Sequence, residues 1–498
     1  MFAFQDASYY IFTMAEASHP PKKQPPWRPW AGNFYVQLAA AYLVVAAAMY
    51  LRAFPFRSYY SHYGGKIWLT PLHAYWDPRI TPWVLPAAVA LAASVALIIW
   101  AVKTRKIWLP TLAAALAIAA VNAAPGGGRK FPFDWLEHAL FDARILFRAP
   151  NVFADYVEIT RTVSCHCRTR PGLLYWLLGA LDRVFANNVY AIETVIIAAA
   201  VVSVPLLYYG ARAVTKNDAG FAAAALLVCA PALLIFGPGP DGLNCLIGTG
   251  VIAMALKAAA SERPWLWSAV TGVLLAIAVM TSYLLIILTF FAAAFLLAGA
   301  VTTGRGRRAL ASGLIIGITA VAVLAVFQAI TGYEHITVFK RAFWANQGLP
   351  SAGTNVIKLI AQALGRGGDT PFEPNQRPYG VFVLGNLYAT FFIMGVPTAV
   401  LYLRELGTVI SRRQVRGSLY GATVIVFALV FLAYNFSGLI LGEVERVWLF
   451  LIPGFVIPAA VQLTRMARGP YGSKALTLAL GLGAGQALLY NILLLTGY

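Results

Sequence analysis

Four carboxylates in one stretch of the chain have the spacing that proton-transfer chemistry uses. In FPFDWLEHALFDAR, Asp134 and Glu137 stand three residues apart, which on a helix places them on one face, about one turn from each other. Phe131, Phe133 and Trp135 surround them, and a carboxylate partly stripped of water is suited to act as general base on an acceptor hydroxyl. A plainer use competes: the same acids can pair with Arg144 or Arg148 and only orient the segment. Asp155 and Glu158 repeat the spacing within ADYVEITR, where a solvated helix face salt-bridged to Arg161 is the competing reading. CHC at 165–167 lacks the second pair of ligands that a tetrahedral centre requires, so no metal site is expected there.

These acids are rare in their surroundings. Of 498 residues, 60% are hydrophobic and 11% charged, too few charges to solvate a water-facing surface. A bilayer core takes roughly 20 apolar residues per spanning helix, and apolar runs of that length recur between short charged connectors. They fall near 33–51, 82–102, 107–123, 190–211, 219–236, 242–260, 264–281, 283–303, 309–331, 380–403, 418–439, 446–464 and 474–496, about thirteen in all. The fold class expected is therefore all-α, a polytopic transmembrane bundle with two large external loops that contain interfacial helices. This excludes a secreted or cytosolic enzyme, a β-barrel and a DNA-binding module. Four cysteines make no disulfide framework, and Cys229 and Cys245 fall inside apolar runs as small core residues.

The net charge of +19 follows from orientation rather than from nucleic acid. Lys and Arg are retained on the cytoplasmic side of short connectors. With the N-terminal tail (1–32) inside and the first span retained, KTRK (103–106) and the connectors at 212–216, 257–263, 304–308, 404–416 and 464–474 all lie inside. Loops 124–189 and 332–379 then lie outside with the short connectors GPGPDG (237–242) and GEVER (442–446), and most acids gather on that face. Apart from Glu193, the apolar runs hold almost no ionisable residue, which argues against an ion-coupled transporter. In the second external loop, Val356, Ile357, Ile360 and Leu364 form one helical stripe, and Asp369, Glu373, Asn375 and Gln376 are candidates for sugar contact or for a plain connector. RPGLLYWLLGALDRVF (170–185) starts at a proline and is too short to span, so a helix lying in the headgroup region is expected.

Taken together, the pattern resembles the GT-C superfamily of integral membrane glycosyltransferases, which use polyprenyl-phosphate-linked sugars. The likeness rests on many spans, on acids in the first large external loop soon after a span, and on a proline-led apolar stretch that RPGLLYWLL (170–178) approximates. GPGPDGLN (237–244) is similar to that family's short connector bearing proline and acid, and GEVERVWLFLIPG (442–454) to a late motif of related sequences. The resemblance makes Asp134 the leading candidate for the catalytic carboxylate, with Glu137 as companion and Asp155 and Glu158 as the competing pair. It also makes Arg446 a candidate for the lipid phosphate, because a guanidinium clamps phosphate oxygens bidentately. Asp241, Glu443, Glu445 and Arg170 join it as candidate donor-site residues, although Glu443 or Glu445 could equally be a plain ion-pair partner of Arg446.

Residues 33–106 are expected to form N-terminal spans, 107–465 the GT-C-like catalytic core with loops 124–189 and 332–379, and 466–498 a C-terminal span. The expected activity is transfer of a sugar from a polyprenyl-phosphate donor to a lipid, glycan or protein acceptor on the external face of a bacterial inner membrane. Partners are that donor, that acceptor and membrane lipids, with no nucleic acid. No cofactor is called for, a divalent cation being the one candidate left open, and no Walker or Rossmann phosphate loop is present, GGGRK at 126–130 being a loop. The rivals are a transporter or flippase of a lipid-linked or amphiphilic solute, and a non-catalytic subunit of an envelope-assembly complex.

Overall fold

The computed structural model describes residues 33–50, 74–76, 78–125, 131–215, 217–347, 379–412, 418–440, 444–469 and 472–496. In chain order the helices are α1 (Phe34–Tyr50), α2 (Val84–Thr104), α3 (Trp108–Ala123), α4 (Phe131–Leu146), α5 (Tyr156–Ile159), α6 (Cys165–Arg168) and α7 (Gly172–Val184). They continue with α8 (Val189–Val214), α9 (Asn217–Val228), α10 (Pro231–Phe236), α11 (Asp241–Ala260), α12 (Pro264–Thr281), α13 (Ile287–Thr303), α14 (Gly306–Thr331) and α15 (His335–Gln347). The last are α16 (Tyr379–Ile393), α17 (Val396–Ser411), α18 (Leu419–Phe436), α19 (Val444–Val447), α20 (Ile452–Arg468) and α21 (Gly472–Leu493). The one sheet among the described residues is a three-residue antiparallel pair, β1 (Ala74–Trp76) with β2 (Leu494–Thr496).

Nine helices among the described residues are long and apolar enough to cross a bilayer, or up to ten if the bent pair α16–α17 is one span. The other three expected spans fall on shorter apolar helices, α1, α3 and α9. Two expected spans are broken. The run at 219–236 stops at Cys229 and Ala230, and α10 restarts with Pro231 at its first position, where a missing N–H costs nothing. The run at 380–403 bends by 109° between Ile393 and Val396. There Gly395 takes φ +93°, a conformation that side chains oppose, and Gln486 of α21 holds both sides of the break. Its Oε1 accepts from the Val396 N–H at 2.9 Å and its Nε2 donates to the Phe392 carbonyl at 2.7 Å.

The bundle has two chemically different ends. At one, Asp218 at the start of α9 takes Arg105 from the end of α2 at 3.0 Å and Arg468 from the end of α20. Buried Glu405 of α17 joins Arg465 of α20 and accepts from the Tyr420 hydroxyl at 2.9 Å. Arg105, Glu405, Arg465 and Arg468 come from connectors expected inside. At the opposite end lie α4 to α7 and the connectors before α11 and α20, all expected outside. There a second apolar cluster, including Leu136, Leu140, Tyr156, Tyr175, Leu178 and Tyr333, seats the short helices of the first loop on α8.

Candidate functional site

The first loop is built as a frame. Helix α4 lies along α7, and the Arg144 guanidinium grips Asp182 of α7 with two bonds of 2.7 Å, from Nε and from Nη2. That bidentate contact holds the arginine above its usual pKa, as does the charge of Glu137 nearby. Arg144 is thus hydrogen-bonded to an acid 38 residues on, whereas spacing alone offered Asp134 and Glu137 of its own helix as partners. Gly179 lets α7 sit close to the end of α4, since a Cβ there would lie 2.3 Å from the Phe147 ring.

The same frame presents Arg170. The buried Tyr156 hydroxyl donates to the Arg170 carbonyl at 3.0 Å, and the Tyr333 hydroxyl accepts the Gly172 N–H at 3.0 Å. The backbone either side of Pro171 is therefore pinned by one tyrosine from each external loop. Helix α7 is 13 residues long, amphipathic, and buries Leu174, Tyr175, Leu178, Gly179 and Asp182, as expected for a helix too short to span.

Asp241 reaches the site from below. It opens α11 after the GPGP segment (237–240), and Gly242, next in α11, is so close to the Gly237 carbonyl that a Cβ would lie 2.1 Å from it. Only glycine permits that approach. Arg446 arrives from α19, just before α20, and its Nη1 lies 3.4 Å from Asp241 Oδ2 with both side chains buried. Both Arg446 and Arg170 stack on the Trp135 ring, their guanidinium carbons 4.7 and 4.9 Å from its centre. Asn244, one turn after Asp241, donates to its Oδ1 at 3.2 Å.

Of the candidate residues, then, the structure brings Arg170, Asp241 and Arg446 together around Trp135, which directly follows Asp134 in α4. Glu443 lies outside the described residues, as do the side chains of Asp134, Glu445, Cys165 and His166; so do Val356, Ile357, Ile360, Leu364, Asp369, Glu373, Asn375 and Gln376. Glu137 is half-buried one turn on from Asp134. Asp155 is exposed at the start of α5, and Glu158 pairs with Arg161 at 3.1 Å on an exposed surface, as the competing reading expects.

Sequence reasoning did not single out Asp142. It is buried and accepts from both the N–H (3.1 Å) and the hydroxyl of Ser164. It lines a cavity of about 420 Å³ with Trp135, His138, Phe141, Thr162, Val163 and Ser164. Positions 134, 138, 141 and 142 share a helix face, a signal that was readable; the opposing Ser164 was not. No cluster of three or more metal-ligating side chains occurs among the described residues.

A family model for dolichyl-phosphate-mannose-protein mannosyltransferases matches residues 169–331, which include Arg170 and Asp241. No curated protein matches by sequence. Among solved structures, the apo oligosaccharyltransferase of Archaeoglobus fulgidus has a TM-score of 0.50 at 12% identity, over 80% of this chain and 57% of that one. ArnT from Cupriavidus metallidurans bound to undecaprenyl phosphate has a TM-score of 0.48 at 14% identity, over 71% and 72%. The chain spans a little over half the length of the oligosaccharyltransferase it matches, and at such identity the likeness is one of fold. The chain thus shares a fold with that oligosaccharyltransferase, and within it residues 169–331 match the mannosyltransferase family model.

Proposed function

We propose that the protein transfers a sugar from a polyprenyl-phosphate-linked donor to an acceptor on the non-cytoplasmic face of the membrane. The observation that carries this reading is the meeting of Arg170 and Arg446 on Trp135, one residue from Asp134. Two guanidiniums held in a water-poor site suit a leaving phosphate, because preorganised cations stabilise the charge that develops as the glycosidic bond breaks. The family matched over 169–331 is named for such a donor, dolichyl-phosphate-mannose.

In this mechanism Asp134 takes the proton of the acceptor hydroxyl, whose oxygen attacks the anomeric carbon. The bond from that carbon to the phosphate oxygen breaks, its electron pair leaves on the polyprenyl phosphate, and the configuration inverts. Arg446 and Arg170 hold the phosphate, while Asp241 fixes Arg446 and limits the excess of positive charge. The Arg105–Asp218–Arg468 end is the cytoplasmic one, in keeping with retention of basic connectors.

The test is sugar transfer from radiolabelled polyprenyl-phosphate sugars by protein in nanodiscs, with Asp134→Asn as comparison. The substitution keeps the shape and removes the base, so transfer should fall by at least about 100-fold. Retained transfer by a well-expressed variant would remove Asp134 from the mechanism, and a folded wild type that consumes no donor would remove the enzyme reading.

A further inference from the structure

The cavity of about 420 Å³ along α4 is lined by neither arginine, and its volume falls in the range of about 300–1,000 Å³ that small-molecule sites occupy. Trp135, His138, Phe141 and Asp142 form one wall, and Thr162 and Ser164 face them from the segment before α6. At about 100° per residue the four α4 positions fall within about 120° of one another, and position 134 lies in the same arc.

The oxygen-bearing side chains of this cavity present acceptors. The Ser164 hydroxyl donates to Asp142 Oδ2 and the Thr162 hydroxyl to the Ile159 carbonyl at 2.8 Å, so both hydroxyl hydrogens are committed while lone pairs remain. Asp142 takes two bonds, from the Ser164 N–H at 3.1 Å and from its hydroxyl, and a carboxylate offers about four acceptor positions. Such a lining opposes a phosphate or a carboxylate and suits a ligand that brings several O–H donors. Phe141, 62% exposed, sets an apolar ring beside these acceptors. A sugar ring has both complements, hydroxyls round its edge and a C–H face that packs on the negative face of an aromatic ring. An ammonium, by contrast, gathers its donors at one point, whereas the acceptors here are spread over three side chains.

We propose that this cavity receives a sugar ring of the acceptor, with Asp142 and Ser164 accepting its hydroxyls and Phe141 against its C–H face. The inference rests on the functional reading above and narrows the acceptor to a glycan. Asp142 stands two turns on from Trp135, roughly 10 Å along α4, which favours the acceptor over a donor sugar bonded directly to a phosphate at the arginines. The matched family is named for protein acceptors, but its model covers 169–331 and so begins after every residue that lines the cavity.

The test is transfer kinetics in nanodiscs from radiolabelled polyprenyl-phosphate sugars to methyl α-mannoside, to a capped threonine tripeptide and to phosphatidylglycerol. The wild type should use the mannoside. Asp142→Asn replaces an acceptor oxygen with an amide donor and should raise the KM for the mannoside about tenfold or more, the loss typical of a bond to a charged group, with the donor KM unchanged. Phe141→Ala removes a largely exposed ring, so the thermal midpoint should hold while the same KM rises roughly threefold or more. This second variant decides the matter if Asp142→Asn does not fold. Transfer to the tripeptide or to phosphatidylglycerol but not to the mannoside would overturn the proposal and leave the functional reading standing. An unchanged KM for the mannoside in the folded variants would overturn it too, as would a rise in the donor KM alone, which would put the donor sugar in the cavity. A folded wild type that consumes no donor would overturn the functional reading and this inference with it.

Discussion

Replacing Asp241 with Asn removes one negative charge from a site almost closed to water. The Asp241 and Arg446 side chains are 3% and 2% exposed, and their charged groups are 3.4 Å apart. At an effective dielectric of about 20 the attraction at that distance is about 5 kcal/mol before desolvation is counted. Removing one member of a buried pair costs about 3–5 kcal/mol in practice. Asparagine keeps an oxygen at the same place, so the lower figure applies, and for a chain of this length that lowers the thermal midpoint on the order of 3 °C. The change has a second consequence if Arg446 and Arg170 hold a phosphate. Undecaprenyl phosphate at 100 times its Kd stabilises a binding-competent protein by about 2.7 kcal/mol. Asp241→Asn, facing the phosphate with one negative charge fewer, should gain at least as much as the wild type. The assay is thermal unfolding in nanodiscs with and without the lipid. Equal midpoints without lipid would refute the energetic argument. A wild type stabilised by the lipid beside an unresponsive variant would refute the role given to Asp241.

Further outcomes follow from other contacts. In Gly248→Ala the new Cβ would stand 2.6 Å from Phe450 Cβ and 2.8 Å from the Phe450 carbonyl oxygen, just after Arg446; overpacking of about 1–3 kcal/mol should lower the midpoint, and an unchanged midpoint would contradict the close approach. Gln486→Leu takes away both bonds that hold the break between α16 and α17, at about 1–3 kcal/mol for each buried group left unmade, so proteolysis near 393–396 should speed up. Burial holds the His335 imidazole below its ordinary pKa of 6.5, so the folded protein prefers the neutral ring. That preference is fully present above pH 6.5 and is lost as the pH falls through and below it, so the midpoint should drop between pH 8 and pH 5.5, and by less in His335→Gln. An identical drop in both forms would exclude the histidine as the cause.

How far the primary sequence reaches is shown by particular residues. The helical membrane class, the place of each apolar run and the short amphipathic α7 were all readable, because hydropathy and periodicity are local and a bilayer leaves the backbone few options. The grouping of Arg170, Asp241 and Arg446 was readable only through family resemblance, since motifs far apart in the chain carry no distance between them. The break at Gly395 was hidden inside an apolar run, because bending depends on a partner from another helix, Gln486. Likewise Arg144 found its acid in Asp182 of another helix once α4 lay along α7.

Composition and pattern by themselves determined that this chain is a basic, polytopic helical membrane protein with acids concentrated in its longer connectors. Tertiary structure decided which charges meet: it stacked two arginines on Trp135, gave Arg446 to Asp241, and buried the hydroxyl of Tyr175 with no hydrogen-bond partner among the described residues. The physical reason is that hydrophobic burial is set by the local run of side chains, whereas an ion pair or an unmade hydrogen bond exists only once distant segments have packed and excluded water.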